Sequence, residues 1–137
     1  MHRMGLTVET NGAGFYELTD KVNAAVRRFG VSDGLAVVFV RHTSASLLIQ
    51  EGADPKVLDD LASFFARIVP ENEPWYTHTA EGPDDMPSHI RSALTHTSEV
   101  IPVAQGRLAL GTWQQLFLFE HRRSPHQRHV LVFVTGD

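Results

Sequence analysis

The segment LAVVFVR, residues 35–41, places six apolar residues in succession, three of them valines. Such an unbroken, β-branched run is typical of a strand that is covered on both faces. A second run of this kind, RHVLVFVTG, occupies residues 128–136. Strands of this type need helices or neighbouring subunits packed against their sheet. The sequence therefore predicts a fold built around a sheet, with subunit packing to cover part of it.

The rest of the chain predicts an α+β fold with a largely antiparallel β-sheet and two or three helices. One helix is expected to end at Gly30, a second to begin at Asp54-Pro55, and a third to run from Pro87 to about Thr95. Further strands are predicted at residues 4–10, 99–103, 107–111 and 113–121. The length of 137 residues favours a single domain over residues 1–137.

The composition of the chain argues against several classes of function. The net charge of −4 argues against broad nucleic-acid binding, although it allows one local anion site. The chain contains no cysteine, and so has no disulfide and no thiolate ligand. We find no apolar run long enough to cross a bilayer and no signal-peptide pattern at the N-terminus. These features predict a cytoplasmic protein without a membrane partner.

The stretch EGPDDMPSHI, residues 81–90, combines a helix start with groups that can bind metal. If the helix starts at Pro87, His89 lies in its first turn, where the helix dipole favours the neutral imidazole that a metal requires. Asp84 and Asp85 could cap the helix, or could hold a divalent ion or orient a ligating histidine. The alternative for His89 is an exposed side chain without a role.

Two other histidines are candidates for a site. His42 follows the strand 35–41 and begins HTSAS, where Ser44 and its neighbours offer hydroxyls; the alternative is a hydrogen-bonded core histidine. A triad of Ser44, His42 and an acid is conceivable, but the nucleophile-elbow motif is missing. His78 lies in the long loop 70–86. The separation of these histidines matches no local zinc motif, although separated histidines can converge in a fold.

The C-terminal third adds polar candidates. Glu120 lies on an apolar strand and needs a partner if it points inward, with Arg122 or another arginine the natural one. Gln114 could carry a polar group into a pocket beside Trp113, which could equally pack on the sheet. The basic loop 121–129 is either a solvated hairpin end or an anion site in which arginine binds phosphate.

Four segments in this order resemble the YjbQ-like family, often labelled secondary thiamine-phosphate synthase. They are HTSASLLIQEGADP, GPDDMPSHIRSAL, IPVAQGRLALGTWQ and FEHRR, and the match covers nearly the whole chain. The resemblance implies a small α+β protein that assembles as a homotrimer, with sites near subunit boundaries. It also implies that His42, His78 and His89 bind a divalent metal ion, zinc or magnesium.

The family label implies a reaction in which a pyrimidine methyl diphosphate loses pyrophosphate to a thiazole phosphate. On this basis we expect catalytic roles for His42, Ser44, Asp85 and Glu120. Binding of a small phosphorylated metabolite is expected for Trp113, Gln114 and Arg122. The alternatives are a metal-assisted hydrolase of a phosphorylated metabolite and a non-catalytic trimer that binds a metabolite or metal.

Overall fold

The computed structural model describes residues 1–137 and contains eight strands and three helices. The helices are α1 (Thr19–Phe29), α2 (Pro55–Ile68) and α3 (Asp85–Leu94). The strands are β1 (His2–Asn11), β2 (Gly14–Glu17), β3 (Gly34–Val40), β4 (Ala45–Glu51), β5 (Ser98–Ala104), β6 (Arg107–Leu108), β7 (Gln114–Glu120) and β8 (Pro125–Gly136). None of the helices is both long enough and apolar enough to cross a membrane.

The strands form two antiparallel sheets. The larger sheet has the order β1-β8-β3-β5-β6, and the smaller has the order β2-β7-β4. β8, the last strand in chain order, therefore lies between β1 and β3. The predicted α+β class with antiparallel pairing is confirmed, but the second sheet was not foreseen.

The core lies where the larger sheet, the smaller sheet and α1 meet. Alternate residues of β3 and β8 point into it, because side chains on a strand alternate between faces. They are Ala36, Val38, Val40, Val130, Val132 and Val134. The same cluster includes Val22 and Val26 of α1 and Leu118 of β7. Full burial of each such valine or leucine contributes roughly 1.5–3 kcal/mol relative to an exposed side chain.

The opposite face of the larger sheet is open to solvent in the single chain. Leu35 and Phe39 of β3 are 45% and 42% exposed, and Val100 of β5 is 60% exposed. The prediction that β3 is covered on both faces is therefore wrong within one chain. The physical reason is that α1 packs on one face only, and no other element of the chain covers the second face.

The helix boundaries follow local capping chemistry. The Asp54 carboxylate accepts a hydrogen bond of 3.0 Å from the Lys56 N–H, and Pro55 is the first residue of α2, as predicted. α1 ends at Gly30, as predicted, with the glycine in the left-handed conformation at φ 69°. α2 contains no buried residue, so its apolar face is only partly covered.

Candidate metal centre

The third helix begins two residues earlier than predicted, at Asp85 instead of Pro87. This places Asp85 in the first turn and His89 one turn later, and residues four apart lie on the same face of a helix. His89 is therefore not a first-turn residue, and the helix-dipole argument for its neutral form loses force. Asp84 precedes the helix, but its side chain does not cap it.

Two histidines converge on a single oxygen atom of Asp85. His78 Nε2 lies 2.7 Å from Asp85 Oδ2, and His89 Nε2 lies 3.1 Å from the same oxygen. All three ligand atoms lie within 4.8 Å of one another. The Asp85 side chain is only 2% exposed, whereas those of His78 and His89 are 47% and 29% exposed. The group is therefore anchored on a buried carboxylate and open to solvent on its histidine side.

A backbone carbonyl fixes the orientation of His89. The Nδ1 atom lies 2.9 Å from the Thr43 carbonyl oxygen, which can only accept, so Nδ1 carries a proton and donates it. In the neutral ring, Nε2 then presents a lone pair to the anionic Asp85 oxygen. Two electron-rich atoms 3.1 Å apart need a cation between them, either a proton or a metal ion. The donor set and its orientation fit a metal ion.

Arg122 holds the other side of this carboxylate. Its Nη1 donates to Asp85 Oδ1 at 2.8 Å, its Nε donates to Asp84 Oδ2 at 3.1 Å, and its Nη2 donates to the Glu81 carbonyl oxygen at 3.0 Å. Burial opposes ionisation of Asp85, but hydrogen bonds from His78 and Glu81 and the proximity of His89 outweigh it, so the pKa of Asp85 lies below its ordinary value. The pKa of Asp84 is lowered in the same way, with burial outweighed by hydrogen bonds from Arg123 and Arg122.

The three arginines of the basic loop all form ion pairs within the chain. Arg122 pairs with Asp84 and Asp85, and Arg123 pairs with Glu71. Arg128 is 3% exposed and pairs with Glu120. The structure therefore gives Arg122 a role in positioning Asp85, and each of its three guanidinium nitrogens donates a hydrogen bond within the chain.

Glu120 and Arg128 form the centre of a second, buried network. Arg128 Nε donates to Glu120 Oε1 at 2.7 Å, and Thr10 donates to the same oxygen at 2.6 Å. Arg128 Nη2 also donates to Ser44 Oγ at 3.0 Å. Burial opposes the charge on Glu120, but hydrogen bonds from Arg128 and Thr10 lower its pKa. The partner of Glu120 is thus an arginine, as predicted, and of the arginines available it is Arg128.

The structure does not bring His42 into the histidine group of this chain. Its Nε2 atom accepts a hydrogen bond of 2.8 Å from the His129 N–H, so this nitrogen is already occupied. Burial, followed by the charge of Arg128, lowers the pKa of His42 and keeps the ring neutral. Ser44 bonds to Arg128 and not to His42, so the geometry offers no Ser44–His42 nucleophile pair.

Trp113 and Gln114 lie far from these groups. Gln114 begins β7 and Glu120 ends it, and six residue steps along a strand span roughly 20 Å. The Gln114 side chain accepts a hydrogen bond of 2.8 Å from the Gly111 N–H, and Trp113 is 63% exposed. Within one chain, neither residue contributes to the centre.

Sequence reasoning missed two contributors. Glu81 Oε2 lies 3.4 Å from His78 Nε2, and the Thr43 carbonyl orients His89. The three-residue spacing between His78 and Glu81 was a usable signal for the first. The second could not be read from sequence, because it depends on how the turn after β3 approaches α3. We define His78, Asp85 and His89 as the histidine–aspartate group, with Glu81 at its edge.

Comparison with known proteins gives a consistent match over the whole chain. A family model described as UPF0047 protein YjbQ-like matches residues 4–137. A UPF0047 protein of Synechocystis sp. is 58% identical over 136 residues, covering 99% of this chain and 92% of the relative. The UPF0047 protein YjbQ of Escherichia coli O157:H7 is 42% identical over 133 residues, with 96% of each chain covered.

Solved structures agree with this result. A hypothetical protein of Aeropyrum pernix superposes with a TM-score of 0.89 at 30% identity, covering 100% of both chains. A conserved hypothetical protein of Thermus thermophilus gives a TM-score of 0.86 at 39% identity, covering 96% of this chain and 99% of that one. The chain therefore belongs to the UPF0047, or YjbQ-like, family.

Proposed function

We propose that this protein is a metal-dependent enzyme for a small phosphorylated molecule, with the metal bound by the histidine–aspartate group. The observation that carries this proposal is the approach of His78 Nε2 and His89 Nε2 to one oxygen of Asp85. Because the Nδ1 proton of His89 is committed to the Thr43 carbonyl, the Nε2 lone pair is directed at an anionic oxygen and calls for a cation.

The donor atoms favour zinc, or a similar first-row ion, over magnesium. Imidazole nitrogen suits zinc and related ions, whereas magnesium prefers oxygen ligands and retains several waters. Three protein ligands leave coordination positions for substrate or water, which is typical of catalytic sites and not of closed structural ones. A bound divalent ion supplies Lewis-acid stabilisation of negative charge in the reacting phosphate group.

The surrounding residues position the ligands and offer a proton acceptor. Arg122 fixes one oxygen of Asp85 and leaves the other facing the histidines, and Thr43 sets the ring orientation of His89. Such supporting contacts raise metal affinity and hold the ligand geometry. Glu81 is exposed beside His78 and is placed to accept a proton at the edge of the group.

Thiamine phosphate formation is the transferase reaction that we propose first, on the basis of the sequence resemblance. In this reaction the thiazole nitrogen forms a bond to the pyrimidine methylene carbon, and the bond from that carbon to pyrophosphate breaks. The leaving pyrophosphate needs cationic groups to neutralise its charge. A divalent ion at the histidine–aspartate group is the source that this chain offers.

Hydrolysis of a phosphorylated metabolite is the second candidate. The position of Glu81 favours it, because an exposed carboxylate near the metal ligands can take a proton from an attacking water. The two reactions are distinguished by incubating the zinc-loaded protein with the pyrimidine methyl diphosphate and the thiazole phosphate. Thiamine phosphate and inorganic phosphate are then measured. Release of phosphate without thiamine phosphate would select the hydrolase.

Metal content is the first test of the proposal. We expect about one zinc ion per chain in the purified protein by elemental analysis, and loss of this ion in His89→Ala and in Asp85→Asn. His96→Ala removes an exposed histidine outside the group and should keep the metal. An absence of metal in the purified protein, with no uptake after addition of zinc, would reject the metal-dependent enzyme.

We also propose that the chain assembles as a homotrimer. Support comes from the open apolar face of the larger sheet, formed by residues such as Leu35, Phe39 and Val100. Contiguous apolar surface of this kind is characteristic of subunit interfaces. Sedimentation equilibrium should give three times the chain mass, and Phe39→Lys should shift the population toward monomer.

A further inference from the structure

A groove next to the histidine–aspartate group is formed by the end of β3, the turn that follows it and one face of α3. Its volume is about 610 Å³, which is within the range of sites for small organic ligands. The groove lining contains Arg41, Thr43, His89 and Ser92, and no acidic residue. His89 therefore belongs both to the groove and to the group proposed to bind metal.

Arg41 has no charged partner within the chain. The arginines of the basic loop, Arg122, Arg123 and Arg128, each pair with at least one carboxylate. Arg41 is exposed at the groove and makes no ion pair and no side-chain hydrogen bond. In a chain with net charge −4, a free guanidinium facing a groove without acids creates a local site for an anion.

Ser92 supplies an independent observation. Its Oγ atom is buried and has no hydrogen-bond partner, although the residue lines the groove. Ser92 lies three residues after His89 on α3, so both side chains are on the same face of the helix. A buried hydroxyl without a partner costs free energy. Because solvent does not reach the Oγ atom, a ligand oxygen satisfies it only after the Ser92 side chain rotates toward the groove.

The turn that carries Arg41 is tied to α3 by the bond between the Thr43 carbonyl and His89. Arg41 itself is anchored through its backbone, since its N–H donates to the His129 carbonyl at 3.1 Å. The guanidinium therefore extends from a fixed backbone position. Guanidinium geometry suits two parallel hydrogen bonds to a phosphate group.

We infer that Arg41 and Ser92 bind a phosphate group of the substrate, in the groove that begins at His89. The inference rests on the proposed function for the neighbouring metal, but it assigns the phosphate to a different part of the chain from the basic loop. The phosphate occupies the groove and the reacting end of the molecule lies toward His89. Arg41 is a binding residue in this scheme and takes no part in proton transfer.

Binding of inorganic phosphate to the zinc-loaded protein, measured by titration calorimetry at constant ionic strength, tests the inference. We expect Arg41→Gln to weaken phosphate binding by about tenfold or more, as loss of a charge-assisted contact predicts. Arg41→Lys keeps the charge but not the paired donors. Its phosphate affinity should therefore lie between that of Arg41→Gln and that of the unmodified protein. Arg107→Gln, which removes an exposed arginine of β6, should bind phosphate like the unmodified protein.

Three results would overturn the inference. They are an unchanged phosphate affinity in Arg41→Gln, no phosphate binding by the unmodified protein, and acetate binding as tightly as phosphate, which would indicate a carboxylate site instead. Measuring the zinc content of each variant shows whether a change in phosphate binding comes from the groove or from loss of the metal ion. The test of the groove is therefore distinguishable from the test of the proposed function. Arg41-dependent phosphate binding by a protein that takes up no zinc would support the groove and reject the metal-dependent enzyme.

Discussion

Arg122 Nη1 lies 2.8 Å from Asp85 Oδ1, and the second oxygen of the same carboxylate is the one that faces His78 and His89. One oxygen of the Asp85 carboxylate is therefore bound by a permanent cation, and the other faces the position proposed for a metal ion. Arg122 comes from the residues just after β7, whereas Asp85 begins α3. The fold therefore joins two distant parts of the chain at this carboxylate.

Removal of Arg122 should weaken metal binding without touching a metal ligand. We expect Arg122→Gln to lower zinc affinity by roughly 10- to 100-fold, because contacts that orient a ligating carboxylate have effects of this size. Zinc affinity is measured by competition with a coloured chelator. Arg123→Gln, which breaks only the exposed pair with Glu71, is the control. Equal zinc affinity in Arg122→Gln and the unmodified protein would contradict the positioning role.

Loss of the Glu120 charge should strongly destabilise the fold. Glu120→Gln leaves Arg128, which is 3% exposed, without a compensating anion, and breaking a buried pair on one side costs roughly 3–5 kcal/mol. The double variant Glu120→Gln with Arg128→Met removes both charges and should recover part of this loss. Urea unfolding of the three proteins measures the effect. A single variant as stable as the unmodified protein would show that the pair is dispensable.

His121 should make the fold sensitive to mild acid. Burial, followed by the charge of Arg91, lowers the pKa of His121 from 6.5 to about 3. Between these values the unfolded chain binds a proton that the folded chain does not, so stability falls as the pH drops from 6.5 toward 3. The expected loss from this residue is about 2 kcal/mol between about pH 6.5 and pH 5.

The test for His121 is the difference in pH dependence between variants. His121→Gln retains a polar group beside Ser46, whose Oγ lies 2.9 Å from His121 Nε2, but it cannot titrate. Its unfolding free energy should change less over the same pH interval than that of the unmodified protein. His96→Gln, which alters an exposed histidine, should keep the original slope. Parallel slopes in all three proteins would exclude His121 as the source.

Gly34 should not tolerate even a methyl group. A Cβ atom at this position would collide with the backbone of Thr135 and Gly136 on β8, where neither neighbour can rotate away. We expect Gly34→Ala to cost about 3 kcal/mol or more, as overpacking against fixed backbone does. Gly5→Ala in β1 is the matched control, because its Cβ would have free space. Thermal unfolding compares the two, and equal melting temperatures would refute the steric argument.

Local signals in the sequence predicted the elements better than they predicted the contacts between them. The Asp54-Pro55 start of α2 and the Gly30 end of α1 depend on neighbouring residues only, and both appear in the structure. The proximity of His78 and His89 also arises within one short segment. These features can be predicted from the sequence because they do not depend on which strands pair.

The positions of Arg128 and His42 depend on strand register instead. Pairing of Val40 with Val130 brings His129 to His42, and the same strand carries Arg128 toward Glu120. A sequence does not reveal that β8 lies beside β3, so sequence alone does not distinguish Arg122 from Arg128 as the partner of Glu120. The predicted start of α3 was wrong by only two residues. Acidic residues are favoured both at the N-cap and in the first turn, so the sequence does not distinguish these positions.

The place of β8 between β1 and β3 has a consequence for biosynthesis. Leu6 pairs with Val130, so this ladder joins two segments that lie far apart in the sequence and are synthesised at different times. Until β8 leaves the ribosome, β1 and β3 lack the strand that joins them and expose unpaired backbone edges. Such non-local pairing slows folding and lengthens the time for which those edges can associate with other chains. A nascent chain in which β8 has not yet been synthesised therefore carries strand edges that are prone to aggregation.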